Sequence, residues 1–202
     1  NEILIIPRPL GSLTPCILKL YNSPMKTSDP IMPTHSSLPP PERHVVLVAP
    51  EIHWNTGNIG RTCVATGSYL HLIRPLGFSL DSRQVKRAGL DYWPRVDLSV
   101  WDSFDHFLAG MAPAPEEVCL FAKRGSRSYR RMPLQARMFL IFGSETRGLP
   151  DAVLQRYPDA HYHVPITRAI RSLNLSTAVG IALYESLREA PSCHGWRSIT
   201  EI

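Results

Sequence analysis

Cysteine is scarce in this 202-residue sequence, with Cys16, Cys63, Cys119 and Cys193 scattered and no two of them forming a CxxC pair. That spacing excludes a disulfide framework and the common zinc sites, and it suits reduced thiols in a cytoplasmic protein. Long hydrophobic runs are missing too. With no apolar stretch of about eighteen residues, a membrane span is not expected. Pro7, Pro9 and Pro15 break up the apolar opening, so a signal peptide is not expected either. Neither GxGxxG nor GxxxxGK[ST] occurs, which excludes the usual dinucleotide and P-loop phosphate sites. The GxSxG elbow is absent around Ser144, so that serine is not a hydrolase nucleophile. Acidic residues are lacking between Lys123 and Arg137, a stretch that holds Lys123, Arg124, Arg127, Arg130, Arg131 and Arg137. This is either a solvated basic loop or a phosphate-contacting patch, for which the planar arginine fork is suited. The overall charge of +5 and pI near 9.2 are only moderately basic and do not decide between the two.

What the sequence has is a core. Hydrophobic residues make up 44%, enough for one globular domain. Residues 1–43 stand apart: Pro7, Pro9, Pro15, Pro24, Pro30, Pro33 and Pro39–Pro41 fall there, and neither helical nor strand periodicity persists. A mostly disordered extension is expected over 1–43, a domain over 44–190 and a short tail over 191–202. Apolar runs at 45–49, 69–74, 96–100, 118–122, 138–142 and 163–166 read as strands. Between them, 58–66, 82–88, 101–108 and 149–157 read as helices. The clearest helix is 173–189, where Leu175, Ala178, Val179, Ala182, Leu183 and Leu187 form one apolar stripe. Strands alternating with helices imply an α/β fold, a parallel sheet with helices on both faces. Ligands in such folds bind beyond the carboxyl ends of the strands.

Three polar, glycine-bearing segments lie near those expected strand ends. Asn55-Thr56-Gly57-Asn58-Ile59-Gly60-Arg61 follows the first strand; as a plain strand-to-helix turn it would have Asn55 or Thr56 as the helix cap. Gly143-Ser144-Glu145-Thr146-Arg147-Gly148 brackets a Glu and an Arg with two glycines, which lets backbone approach a ligand closely. Val164-Pro165-Ile166 and then Arg171-Ser172-Leu173-Asn174-Leu175-Ser176 lead into the last helix, whose start favours a negatively charged group.

In this order the three segments resemble the motifs of the SPOUT superfamily of RNA methyltransferases, and most closely its small tRNA (cytidine/uridine-34) 2′-O-methyltransferases. The similarity runs from about Val45 to Glu189 and includes Arg87-Ala88-Gly89-Leu90-Asp91-Tyr92 and Tyr184-Glu185. The resemblance implies a Rossmann-like sheet whose C-terminal part forms a trefoil knot, a homodimer with the active site near its interface, and S-adenosylmethionine as cofactor. It implies a tRNA substrate methylated on the ribose 2′-hydroxyl of the wobble nucleotide. Another tRNA position, ribosomal RNA, or an inactive RNA-binding member are the alternatives. It assigns catalysis to Arg61, Asn55, Glu145, Ser172 and Asn174. Cofactor contacts fall to Gly143, Glu145, Val164, Ile166, Ser172, Leu173 and Ser176, and RNA contacts to Arg61, Lys123, Arg124, Arg127, Arg147 and Tyr184. The sulfonium makes the methyl group electrophilic, so few ionisable residues are needed. Arginine is a poor base, and Arg61 is expected to stabilise the developing alkoxide instead.

Two features depart from the family pattern or compete with it. His53-Trp54 stands where relatives carry a proline-containing or small-residue lead; Trp54 either stacks on a base or fills a core gap. His161-Tyr162-His163 places two imidazoles on one strand face, but no carboxylate or Cys lies nearby in sequence, so no metal is expected.

Overall fold

The computed structural model describes residues 41–80, 91–123 and 125–188. The expected extension up to residue 40, the helix over 82–88, the tail over 191–202 and Arg124 lie outside the described residues. Among the described residues no helix is long and apolar enough to cross a membrane.

Among the described residues seven strands form one sheet in the order β3-β2-β1-β6-β4-β7-β5, and every pairing is parallel. They are β1 (Glu42–Val48), β2 (Tyr69–Ile73), β3 (Leu98–Trp101), β4 (Val118–Phe121), β5 (Arg127–Ser128), β6 (Arg137–Phe142) and β7 (His161–His163). The helices are α1 (His53–Thr66), α2 (Phe104–Met111), α3 (Asp151–Arg156) and α4 (Leu175–Ser186). The expected α/β class and parallel sheet are therefore present.

The pleat sorts the apolar residues onto two faces. Val45, Leu47, Leu70, Leu72, Leu140 and Phe142 pack with Ile59 and Cys63 of α1 and with Val179, Ala182 and Leu183 of α4. Val46, Val48, Ile73, Phe139 and Ile141 face the other way, onto Phe107 of α2 and Val153 of α3. Helices thus cover both faces, and the central strands are continuous apolar runs because neither side meets water. Each fully buried Leu or Ile there contributes roughly 1.5–3 kcal/mol. Burial also pushes the Cys63 and Cys119 thiols up to about 12, which leaves them unreactive at neutral pH.

Several expected boundaries shift. β1 begins at Glu42, two residues before the expected domain start, because Arg43 is itself buried. Its guanidinium donates to Ser186 O (2.8 and 3.1 Å) and Ser186 Oγ (3.1 Å), and to the carbonyls of Glu42, Gln135 and Ala136 (3.0–3.1 Å). Burial lowers its pKa to about 10, so the charge persists at neutral pH and is shared among these oxygens, Ser186 at the C-terminus of α4 included. Trp101 ends β3 instead of opening a helix, since Ser103 caps α2 by accepting from His106 N (3.1 Å). α2 then passes through Gly110 and stops at Ala112, whose φ of 42° is left-handed. β7 covers His161–His163 and not 163–166; Tyr162 is its buried residue, and Pro165 downstream has no N–H to offer a ladder. α4 spans Leu175–Ser186 within the expected 173–189. The two-residue edge strand β5 was not expected; it lies inside the basic stretch and pairs with β7.

One polar chain, buried except at Glu42, crosses three strands. Trp101 Nε1 donates to His71 Nδ1 (3.0 Å), the other His71 nitrogen meets His44 Nδ1 (2.8 Å), and His44 Nε2 meets Glu42 Oε1 (2.6 Å). Indole can only donate, so His71 carries its proton on Nε2 and gives it to His44, whose own N–H points at the carboxylate. Burial, reinforced by His44, drives the His71 pKa down to about 3 and keeps that ring neutral.

Candidate active site

β6 runs straight into Gly143, and the next residues fold back in a tight turn. Ser144 N donates to Gly148 O (3.2 Å) and Gly148 N to Ser144 O (2.9 Å). A side chain at Gly143 would place its Cβ 1.9 Å from the Gly148 carbonyl carbon, so only glycine permits this close approach. Gly148 itself sits at φ 75°.

The turn throws Glu145 across to the start of α1. One carboxylate oxygen accepts from Glu51 N (2.8 Å); the other accepts from Ile52 N (3.3 Å) and Asn55 Nδ2 (2.8 Å). This explains why α1 begins at His53, five residues earlier than expected. Its N-cap, Ile52, has no side chain able to cap, and the cap is supplied from another element. A plain strand-to-helix turn capped by Asn55 or Thr56 is excluded, because both lie inside the helix. The negative charge also sits at the positive end of the helix.

Asn55 then passes the connection on. Its Oδ1 accepts from Asn174 Nδ2 (2.9 Å), while Asn174 Oδ1 accepts from Ser176 N (2.9 Å), Ser176 Oγ (2.7 Å) and Thr177 N (3.4 Å), capping α4. Glu145, Asn55 and Asn174, one from each of the three segments, form a single hydrogen-bonded thread. Asn55 is only 5% exposed, so the thread is partly shielded from competing water.

Beside the thread opens a cavity of about 680 Å³ at the carboxyl ends of β4, β6 and β7. Gly143, Glu145, Val164, Ile166, Ser172 and Leu173 all line it, as do Asn55 and Asn174. Ser176 does not, because its hydroxyl is turned back to Asn174. Sequence reasoning missed Phe121, Ala122, Tyr162 and His163, which line the floor where β4 and β7 end. The strand-end rule for parallel sheets could have found them. Among its charged lining residues, Lys123, Arg147 and Arg171 outnumber Glu145 and Asp151.

Other expected site residues lie elsewhere. Arg61 is exposed on α1 and does not line the cavity; its guanidinium lies 4.6 Å over the Tyr92 ring. Tyr92, in turn, donates its hydroxyl to Gly57 O (2.7 Å). Tyr184 is exposed on α4, and Arg127 is exposed on the edge strand β5. Arg137 leaves the basic patch altogether. Its Nε and Nη2 grip the Glu117 carboxylate at 3.0 and 2.7 Å, and this arginine holds Glu117 below the usual carboxylate range. His161 and His163 spend a ring nitrogen each on the carbonyls of Leu154 (2.9 Å) and Gly125 (2.8 Å). Trp54 fills no core gap: it is 60% exposed.

Residues 42–184 match the family model described as the SpoU rRNA Methylase family. A tRNA (cytidine(34)-2′-O)-methyltransferase of Burkholderia ambifaria is 45% identical over 148 residues, which cover 73% of this chain and 95% of that one. A solved structure described as giving structural insights into the 2-OH methylation of C/U34 on tRNA is 48% identical. It covers 74% of this chain and 97% of its own, with a TM-score of 0.67. An AdoMet-bound rRNA methyltransferase from Sinorhizobium meliloti is 27% identical, over 74% of this chain and 57% of that one, with a TM-score of 0.65. With the family model spanning most of the described fold and the three segments meeting at one cavity, the chain belongs to the SpoU rRNA methylase family.

Proposed function

We propose that this chain transfers the methyl group of S-adenosylmethionine to the ribose 2′-hydroxyl of nucleotide 34 of tRNA, in the cytoplasm. The observation that carries the reading is the cavity lined by the Glu145–Asn55–Asn174 thread, in a chain 45% identical to a relative named for that reaction. Its volume of about 680 Å³ suits a cofactor of that size. Gly143, Val164, Ile166, Ser172 and Leu173 would hold the cofactor, which supplies an electrophilic methyl group when bound.

The chain's own residues then have positioning and electrostatic tasks. Glu145 and Asn55 have their polar atoms committed to donors and acceptors already described, so they act as positioning residues and not as bases. Ser172 is exposed on the cavity wall and is free to orient the ribose. Arg61 stabilises the charge that develops on the attacking ribose oxygen as its proton passes to solvent. Because it stands outside the cavity of its own chain, it serves the cavity of a second copy, in a homodimer with composite sites. Lys123, Arg127, Arg147 and Tyr184 contact the RNA. The unit that does this runs from β1 at Glu42 through α4, and its C-terminal segment threads a trefoil knot. Support for the threading comes from backbone pressed on backbone between segments distant in sequence, at Gly125, where a Cβ would lie 2.4 Å from Tyr162 C.

Transfer of labelled methyl groups to tRNA transcripts tests the reading. Incorporation is expected with ribose at nucleotide 34 and lost with a 2′-deoxy nucleotide there. Equal labelling of both transcripts overturns the position, and labelling of ribosomal RNA alone overturns the substrate.

A further inference from the structure

α1 shows solvent one clear stripe. Trp54, Asn58, Arg61 and Ala65 are all exposed and fall at steps of four, three and four residues, hence on a single face. Burying Trp54 would remove a large apolar area from water, yet 60% of its surface remains exposed. It is also held in place: the His53 ring lies 4.3 Å from it between centroids, tilted by 37°, and Phe78 lies beyond His53 at 6.4 Å. The residues on either side of this pair, Ile52 and Asn55, line the cavity. A supported aromatic face therefore stands beside the cavity, two turns before the Arg61 that is directed at a second copy.

We infer that Trp54, supported by His53, is a stacking platform for a nucleobase of the RNA substrate and helps select the nucleotide presented at the cavity. This rests on the methyltransferase reading above. The chemistry favours a base over an apolar protein partner. Flat π surfaces stack on exposed indole, while Asn58, one turn further along, offers an amide for polar contact. A purely apolar partner would leave that amide desolvated.

The test compares wild type with Trp54→Ala and Trp54→Phe. Trp54 is a surface residue, so both variants should fold and bind S-adenosylmethionine as the wild type does. Loss of one stacked base costs on the order of tenfold in affinity. Trp54→Ala should raise the KM for tRNA and the Kd of the tRNA complex by about that factor, and Trp54→Phe should recover most of the loss. Unchanged tRNA affinity in Trp54→Ala overturns the platform. Conversion of a dimer to a monomer in sedimentation, with tRNA affinity per dimer preserved, overturns it in favour of a second copy of the chain on this face. Wild type that binds tRNA without methylating it sinks the methyltransferase reading, while the binding comparison still decides the platform.

Discussion

Replacing Glu145 by Gln changes one atom and tests the thread directly. The carboxylate faces only donors: Glu51 N and Asn55 Nδ2 at 2.8 Å and Ile52 N at 3.3 Å. An amide can satisfy one side alone. With its oxygen toward Asn55 and Ile52, its NH2 group confronts the Glu51 N–H; turned over, it confronts the other two. At least one donor is left opposed, and every surviving bond loses charge assistance. Charged hydrogen bonds contribute about 1.5–3 kcal/mol and neutral ones about 0.5–1.5, so the loss comes to about 2 kcal/mol at this half-buried position. For a domain of this size that lowers Tm by roughly 4–8 °C. Thermal unfolding followed by circular dichroism measures it. Asn55→Ala combined with Glu145→Gln should cost less than the sum of the two singles by about 1 kcal/mol, since they break one bond in common. A melting point within a degree of wild type for Glu145→Gln would falsify the claim that α1 is capped from the neighbouring turn.

Three further outcomes are expected. Arg61→Ala should leave cofactor affinity nearly unchanged while the single-turnover rate drops about a hundredfold; Arg61→Lys should restore little, and near-normal rates in Arg61→Ala remove it from the mechanism. Gly143→Ala cannot be accommodated without separating β6 from the Gly148 backbone, so calorimetry should detect no S-adenosylmethionine binding, and wild-type affinity refutes the fit. His71 holds its folded pKa near 3, below its ordinary 6.5, so the unfolded chain takes up the proton first as pH falls. Its contribution is complete above pH 6.5 and lost between 6.5 and 3, with a slope of up to about 1.4 kcal/mol per pH unit. Urea unfolding at pH 7.5 and 5 should show that loss in wild type and a smaller one in His71→Gln; equal losses contradict it.

Local pattern carried most of the fold. Continuous apolar runs marked β1, β4 and β6 because both of their faces are buried, and the stripe on α4 was read correctly because helix burial is periodic. The errors fall where a tertiary partner decides. α1 starts at His53 although no local residue signals it, since its cap is ninety residues downstream at Glu145. Arg137 looked like part of a free basic patch until the fold brought Glu117 to it. β5 has two residues and no periodicity to detect. The cavity-lining members of the three segments were legible as residue types. Ser176 stands off the cavity because a hydroxyl near a ligand loop can equally serve the helix cap beside it, as it does here. The Glu42–His44–His71–Trp101 chain left no sequence signal, since its members sit on three different strands.

The buried guanidinium of Arg43 also bears on how the chain is made. Arg43 lies on the first strand, and the α4 oxygens that compensate it come from Ser186, 143 residues later. A ribosome adding about 5–20 residues per second needs several seconds or more to cover that distance. Throughout that interval β1 can pair with β2, but its arginine has no α4 terminus to rest on and must stay hydrated. Vectorial synthesis therefore favours keeping the edge of β1 open until the last helix emerges, so that the sheet closes around Arg43 late, in the same event that sets Asn174 beside Asn55 and completes the cavity.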